Sequence, residues 1–419
     1  MNNDIEQKLI TEEQKGGDKI SEQFLLSWDK INLSVSNKPL FGQTQTKNIL
    51  NNVSGFARSG ECLAIMGASG SGKSTLLKVL SNRLNLTHST KFNGQIDLNG
   101  QKMSWSKFKN FIGFVMQRDL FFEDMTISEV FDFIIKLKPS IAETSNTNEL
   151  LKDIIDDLKL ENAQSNYVGG KFRKGISGGE KRRLSIGTEL LANPRILFLD
   201  EPTSGLDSYT GYVIIKKLTQ LARKKNMLIV YTIHQPSFEI YNLFDNLMVL
   251  NKGNVMYFGK KDEVVDYYAN LGYVCPEKKL PADYVIDVSI KGGAEADSLF
   301  IKNYEERIQV DIQNTISSSE KRKINFKNKP AGYCTQFYQL SKRAFYNFVR
   351  NLFTFRIRMS QVIFIAILFF LLYGNLGEID PTNPIGIVNR YGAFFFLVTS
   401  TLNLFFMSCL LICKVISSC

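Results

Sequence analysis

Acidic side chains are missing from one long stretch of this sequence. Between Lys321 and Arg358 there are ten lysines and arginines and no aspartate or glutamate. That block accounts for the whole formal charge of +10, because the other 41 basic residues equal the 41 acidic ones. The excess sits beside the first strongly apolar segment, as in a collar facing anionic lipid headgroups, and no nucleic-acid partner is expected. Paired cysteines are lacking too. The six cysteines show no CxxC spacing and no histidines at metal spacing, which argues against a zinc site or a disulfide framework; they read as reduced or buried thiols. Residues 1–23 contain no apolar core, so no cleaved signal peptide is expected, and they are expected to form a polar disordered tail.

Charge itself is absent from two stretches, 359–377 and 391–413, of 19 and 23 residues. Crossing a hydrocarbon core as a helix takes about 20 apolar residues, so both are expected to be transmembrane helices. The flanking positive charge puts residues 1–358 on the cytoplasmic side, with the loop carrying Glu378 and Asp380 opposite. Upstream, residues 24–290 alternate short apolar runs with longer helical patterns, the rhythm of a mostly parallel sheet covered by helices. Residues 291–334 read as a polar and basic linker with a helix in it. Residues 335–358 read as an amphipathic connecting helix that suits the inner membrane surface.

Three motifs carry chemistry. "GASGSGKST", Gly67, Ala68, Ser69, Gly70, Ser71, Gly72, Lys73, Ser74 and Thr75, follows the apolar run "CLAIM" and opens a helical pattern. In that context it is a P-loop: backbone N–H groups close round phosphates, Lys73 reaches the terminal ones, and the Ser74 hydroxyl ligates Mg²⁺. "ILFLDEP" delivers Asp200 to a strand end, where it suits the Mg²⁺ shell, and puts Glu201 next to it as the group that polarises an attacking water. In "ISGGEKRR", Ser177, Gly178, Gly179 and Glu180 open a second helix. They suit either a γ-phosphate bound on another subunit or a plain helix cap. Gln117 ends an apolar strand and is placed to sense metal; His234 ends another.

These residues in this order resemble the ATP-binding cassette: Walker A at 67–74, Q-loop Gln117, signature 177–181, Walker B 196–200 with Glu201, D-loop "SGLD" ending at Asp207, and switch His234. "HQPS", "LPADYVIDV" and the cassette-before-spans order make the chain most similar to the G (white/brown) subfamily of half-transporters. The resemblance implies an α/β P-loop NTPase followed by α-helical transmembrane segments, working as a homodimer or a heterodimer with another half-transporter in a lipid bilayer. It implies ATP and Mg²⁺ as cofactors, with Ser74, Gln117 and Asp200 around the metal. Glu201 becomes the general base, His234 a γ-phosphate contact, and Asp207 a link across the dimer. The implied cargo is a lipid, sterol or hydrophobic xenobiotic. If the second span lines its pathway, Phe396, Thr399, Ser400 and Asn403, spaced on one helical face, are candidate contacts; a lipid-facing or packing stripe is the equal alternative. A truncated subunit that does not itself transport, and a soluble translation- or repair-type cassette, are the alternatives.

Two departures stand out. The neighbourhood "INLSVSN", where many cassettes carry an adenine-stacking aromatic, has none, and the sequence leaves open whether Trp28, just upstream, substitutes. The subfamily has six spans per half-transporter where this sequence offers two, so the chain is expected to be cut short after residue 413.

Overall fold

The computed structural model describes residues 24–37, 45–84, 87, 89–102, 111–138, 147–170, 173–318, 331–350, 352–373, 388, 390–400 and 402. The expected tail at 1–23 lies outside them. In chain order the elements begin with β1 (Leu25–Asn37), β2 (Gln45–Arg58), β3 (Cys62–Gly67), α1 (Lys73–Leu80), β4 (Thr90–Leu98), β5 (Gln101–Lys102) and β6 (Ile112–Val115). There follow α2 (Ile127–Leu137), α3 (Thr147–Asp157), α4 (Gly178–Leu191), β7 (Ile196–Leu199), α5 (Ser208–Lys225), β8 (Leu228–Thr232), α6 (Phe238–Tyr241), β9 (Asn246–Asn251) and β10 (Asn254–Lys260). The helices α7 (Val264–Asn270), α8 (Pro281–Lys291), α9 (Gly293–Ser318), α10 (Tyr333–Arg350) and α11 (Leu352–Tyr373) complete the series.

The chain divides into two compact units. The first, residues 1–120, 140–162 and 177–329, holds both sheets. One sheet has the order β10-β9-β3-β8-β7-β6, parallel except for the β9/β10 hairpin. Every residue of β3, β6, β7 and β8 is buried, as unbroken apolar runs should be in a sheet covered on both faces. The other sheet is antiparallel in the order β2-β1-β4-β5. Trp28 of β1 is 1% exposed and packs edge-on against Phe258, with Gly55 directly beneath its ring. It belongs to the core and does not substitute as an adenine platform. Burial also pushes the Cys62 thiol up to about 12, which makes it a packing group.

The stretch expected as a linker with a helix in it does contain a helix, and that helix packs into the core. Over Gly293–Ser318 it is one 26-residue helix, α9, whose Ala296, Phe300, Tyr304 and Ile308 are buried. Its apolar positions are spread thinly among charges, which is why they read as linker. The Tyr304 hydroxyl donates to the Ser54 carbonyl of β2 at 2.6 Å and accepts from the Ser54 amide at 2.9 Å.

The second unit, residues 121–139, 163–176 and 330–419, is built on α2, α10 and α11. Thr126 and Glu129 cap α2 reciprocally. Glu129 also takes a two-pronged ion pair from Arg350 of α10, at 2.7 and 2.9 Å. Arg343, one further turn-pair up α10, lies over Phe122 and Phe133. The polar face of α10 is thus spent on α2, and Tyr333, Phe337, Tyr338 and Phe345 stay exposed. Two members of the expected basic collar therefore serve packing between helices.

The charge-free stretches are helical where described, over 359–373, 391–400 and 402, with Phe369 and Phe396 stacked at 6.2 Å. Among the described residues no helix is long and apolar enough to cross a membrane. The charge-free part of α11 rises about 22 Å at 1.5 Å per residue, against a hydrocarbon core of about 30 Å. Residues 374–377, 401 and 403–413, Asn403 included, lie outside the described residues. Thr399 and Ser400 bond back to carbonyls of their own helix, Thr399 to Phe395 and Phe396 and Ser400 to Leu397.

Two outcomes follow from this packing. Phe300→Ala, which empties a site ringed by Tyr267, Tyr268 and Tyr273, is expected to cost about 3–5 kcal/mol in denaturant unfolding. The hydrogen bonds from Arg350 hold Glu129 below its ordinary 4.5. A depressed carboxylate stabilises above its unfolded value and loses that contribution as pH falls through the folded one. Acidification from about pH 5 to about pH 3 should therefore lower the melting temperature of the parent more than that of Glu129→Gln.

Candidate functional site

Four strands end at one edge of the six-stranded sheet because they run parallel and nearly in step. Val115 is level with Leu199, Leu199 with Tyr231, and Ile65 with Thr232. The residues that follow, the P-loop after β3, Gln117 after β6, Asp200 after β7 and His234 after β8, are carried to that edge by the register alone.

The P-loop turn depends on two glycines. A Cβ on Gly67, at φ 148°, would meet the Leu250 carbonyl at 2.2 Å, and one on Gly72, at φ 106°, would meet Leu50 at 2.9 Å. Gly72 is also the N-cap of α1, so the unpaired amides of that first turn open onto the loop. Lys73 folds back over it, its ammonium donating to the carbonyls of Gly67 and Ala68 at 2.8 Å each. Burial lowers the Lys73 pKa, and the nearby Glu201 and Asp200 carboxylates oppose that shift.

One chain of hydrogen bonds joins the rest. Ser74 Oγ donates to Asp200 Oδ1 at 2.7 Å, and Thr232 Oγ1 donates to the same oxygen at 2.8 Å. The Glu201 amide donates to Thr232 Oγ1 at 2.8 Å, and Gln117 Nε2 donates to Glu201 Oε2 at 2.7 Å. Glu201 sits at φ 46°, an uncommon conformation for a residue with a side chain. Thr232 was not among the residues singled out from the sequence. Its signal is faint, a hydroxyl at the last position of a wholly apolar strand, two residues before His234.

The remaining candidates stand apart from this chain. His234 is exposed beyond β8. Ser177 and Glu180 form a capping box on α4: the Glu180 carboxylate accepts from the Ser177 amide at 2.7 Å and hydroxyl at 2.8 Å, and the Glu180 amide donates to Ser177 Oγ at 3.2 Å. Those bonds hold Glu180 below the ordinary carboxylate range against the opposing effect of burial. The space over Gly178 is open. Asp207 caps α5 by accepting from the Thr210 amide at 2.9 Å, which lowers its pKa. Among the described residues no hydrogen bond ties Ser177, Glu180 or Asp207 to the P-loop.

The donor set suits Mg²⁺ bound together with a nucleotide. That ion favours one or two carboxylates, a hydroxyl, water and phosphate oxygens over a cage made of protein alone. Asp200 and Ser74 supply the first two within 2.7 Å of each other. Among the described residues there is no cluster of three histidine, cysteine or acidic side chains able to hold a metal alone.

Two family models match the chain: "ABC transporter" over residues 50–204 and "ABC-2 type transporter" over residues 234–306. The second match falls on β9, β10 and α7 to α9, in the same unit as the P-loop. ABC transporter G family member 4 of Dictyostelium discoideum is 37% identical over 85% of this chain and 44% of its own length. ABC transporter G family member 20 of Arabidopsis thaliana is 31% identical over 91% of this chain and 56% of its own. ABC transporter G family member 1 of Dictyostelium discoideum is 42% identical over 58% of this chain and 30% of its own. The chain spans about half the length of the curated relatives it matches.

The isosteric change Thr232→Val would leave the Glu201 amide without its acceptor and take one donor from Asp200. It is expected to cost about 1–3 kcal/mol in urea unfolding, with Thr232→Ser close to the parent.

Proposed function

We infer that this chain, which belongs to the G family of ABC transporters, binds and hydrolyses ATP at the edge formed by the P-loop, Gln117, Asp200 and Glu201. Paired with a second copy or another half-transporter, it uses the energy to move an amphipathic substrate of the lipid, sterol or hydrophobic xenobiotic class through a bilayer. The observation that carries the reading is the continuous hydrogen-bond chain Ser74–Asp200–Thr232–Glu201–Gln117. It gathers a phosphate loop, a hydroxyl–carboxylate pair and a second carboxylate in one place, which is what in-line attack of water on a phosphate requires.

In this mechanism the amides at the start of α1 and the Lys73 ammonium hold the β- and γ-phosphates and offset their charge. Ser74, Asp200 and Gln117 would hold Mg²⁺, which would supply neutralisation of the charge that develops on the phosphates. Glu201 accepts the proton of the attacking water; Gln117 engages Oε2 and leaves Oε1 to act as base. His234 contacts the γ-phosphate from the end of β8. The first turn of α4 serves the nucleotide bound by the partner, and Ser177 must then share its hydroxyl between Glu180 and that phosphate. Asp207 links the two cassettes. The basic block at 321–358 and the apolar helices after it support a bilayer setting.

ATP turnover by the full chain in membranes tests the reading. Glu201→Gln is expected to lower the rate by about 10²–10⁴-fold while ATP still binds, the range for loss of a general base. Lys73→Ala is expected to weaken ATP binding itself. Hydrolysis by both variants at the parent's rate would sink the proposal.

A further inference from the structure

We propose that Arg182 is the positioning residue that holds Glu201 and Gln117 in register for hydrolysis and ties both to the first turn of α4. The inference rests on the reading of Glu201 as the base. Arg182 is only 2% exposed, although it carries a full charge. Its guanidinium reaches four acceptors. Nη2 donates to the Asp200 carbonyl at 2.7 Å and Nε to the Pro202 carbonyl at 3.2 Å. Nη1 donates to the Met116 carbonyl and to Asp119 Oδ1, the latter at 3.0 Å.

The pattern of those acceptors is what gives the residue a role. Asp200 and Pro202 flank Glu201, the residue at φ 46°. A side-chain-bearing residue persists in that conformation only where its surroundings determine it. Here the amide of Glu201 is held by Thr232, and the carbonyls before and after it are held by Arg182. On the other strand exit Arg182 holds the Met116 carbonyl just before Gln117 and the Asp119 carboxylate two residues after it, and Gln117 in turn bonds the Glu201 carboxylate. A single planar fork therefore fixes the exit of β6 and the exit of β7, the two segments that bear the candidate base and its partner.

A buried charge is a poor way to fill space, since an apolar side chain of similar volume usually packs at least as well. A lysine in its place would be a point charge with one nitrogen, unable to span four acceptors on the segments that leave β6 and β7. The position in the chain adds a consequence. Arg182 is one turn along α4 from Gly178, so any shift of that helix on meeting a partner's nucleotide is delivered to Glu201 and Gln117 together.

The test measures ATP turnover and the binding of a non-hydrolysed ATP analogue by the full chain in membranes, for Arg182→Gln, Arg182→Lys and Asp119→Asn. Arg182→Gln should lower kcat by about 30-fold or more with KM and analogue affinity within about twofold, the signature of a lost transition-state geometry. Arg182→Lys should recover no more than about threefold of that loss, and Asp119→Asn should cost about 3- to 10-fold in kcat alone. Parent-like kcat in folded Arg182→Gln overturns the proposal, and so does a parallel loss of kcat and analogue binding. If Arg182→Gln does not fold, Asp119→Asn decides, with a parent-like rate counting against. Glu201→Gln separates the two readings. If it is inactive while the Arg182 variants are active, this inference alone fails; if it too is active, the assignment of the base fails.

Discussion

Asp200 Oδ1 accepts two hydrogen bonds, from Ser74 and Thr232, and the arrangement of the site depends on them. They tie the start of α1 to the ends of β7 and β8, three pieces of chain remote in sequence. The constraint beneath them is the parallel register of β3, β8, β7 and β6, which sets four strand ends level. Register in such a sheet is firm because both faces are buried: a slip by one residue would exchange the side chains of the two faces throughout a strand. The chemistry thus rests on apolar runs that carry none of it.

That division explains what could be read from the amino acids. The P-loop, Asp200 and Glu201 were legible because each follows a short apolar run and is itself of a distinctive type. Thr232 and Arg182 were not, since their meaning lies in atoms 18 to 66 residues away that only the fold brings near. Trp28 could be read either way from the sequence, since it lies near the expected adenine position, and its place in β1 turns it into the core. Ser177 and Asp207 are helix caps as well as motif residues, and sequence alone left the first of those two readings open for Ser177.

The second unit shows where pattern reading stops. An aromatic and basic helix invites the assumption that its charges face water or lipid headgroups and its rings face something apolar. In α10 two of the arginines instead pair inward, with Glu129 and with the rings of Phe122 and Phe133. Long cationic side chains can lie on aromatic faces while a carboxylate takes the charge, so helical periodicity fixes which residues share a face but not which face is buried. The exposed rings of Tyr333, Phe337 and Phe345 are the result.

The helix α9 bears on a different problem, that of the open edges of the two sheets. Each sheet of the first unit has an outermost strand in this region, β2 in one and β10 in the other. An outermost strand offers unpaired amides and carbonyls to any passing chain. One helix packs beside both, and Tyr304 occupies the amide and carbonyl of Ser54 that a foreign strand would otherwise use. A segment with the composition of a tether thereby acts as a guard against strand-to-strand aggregation.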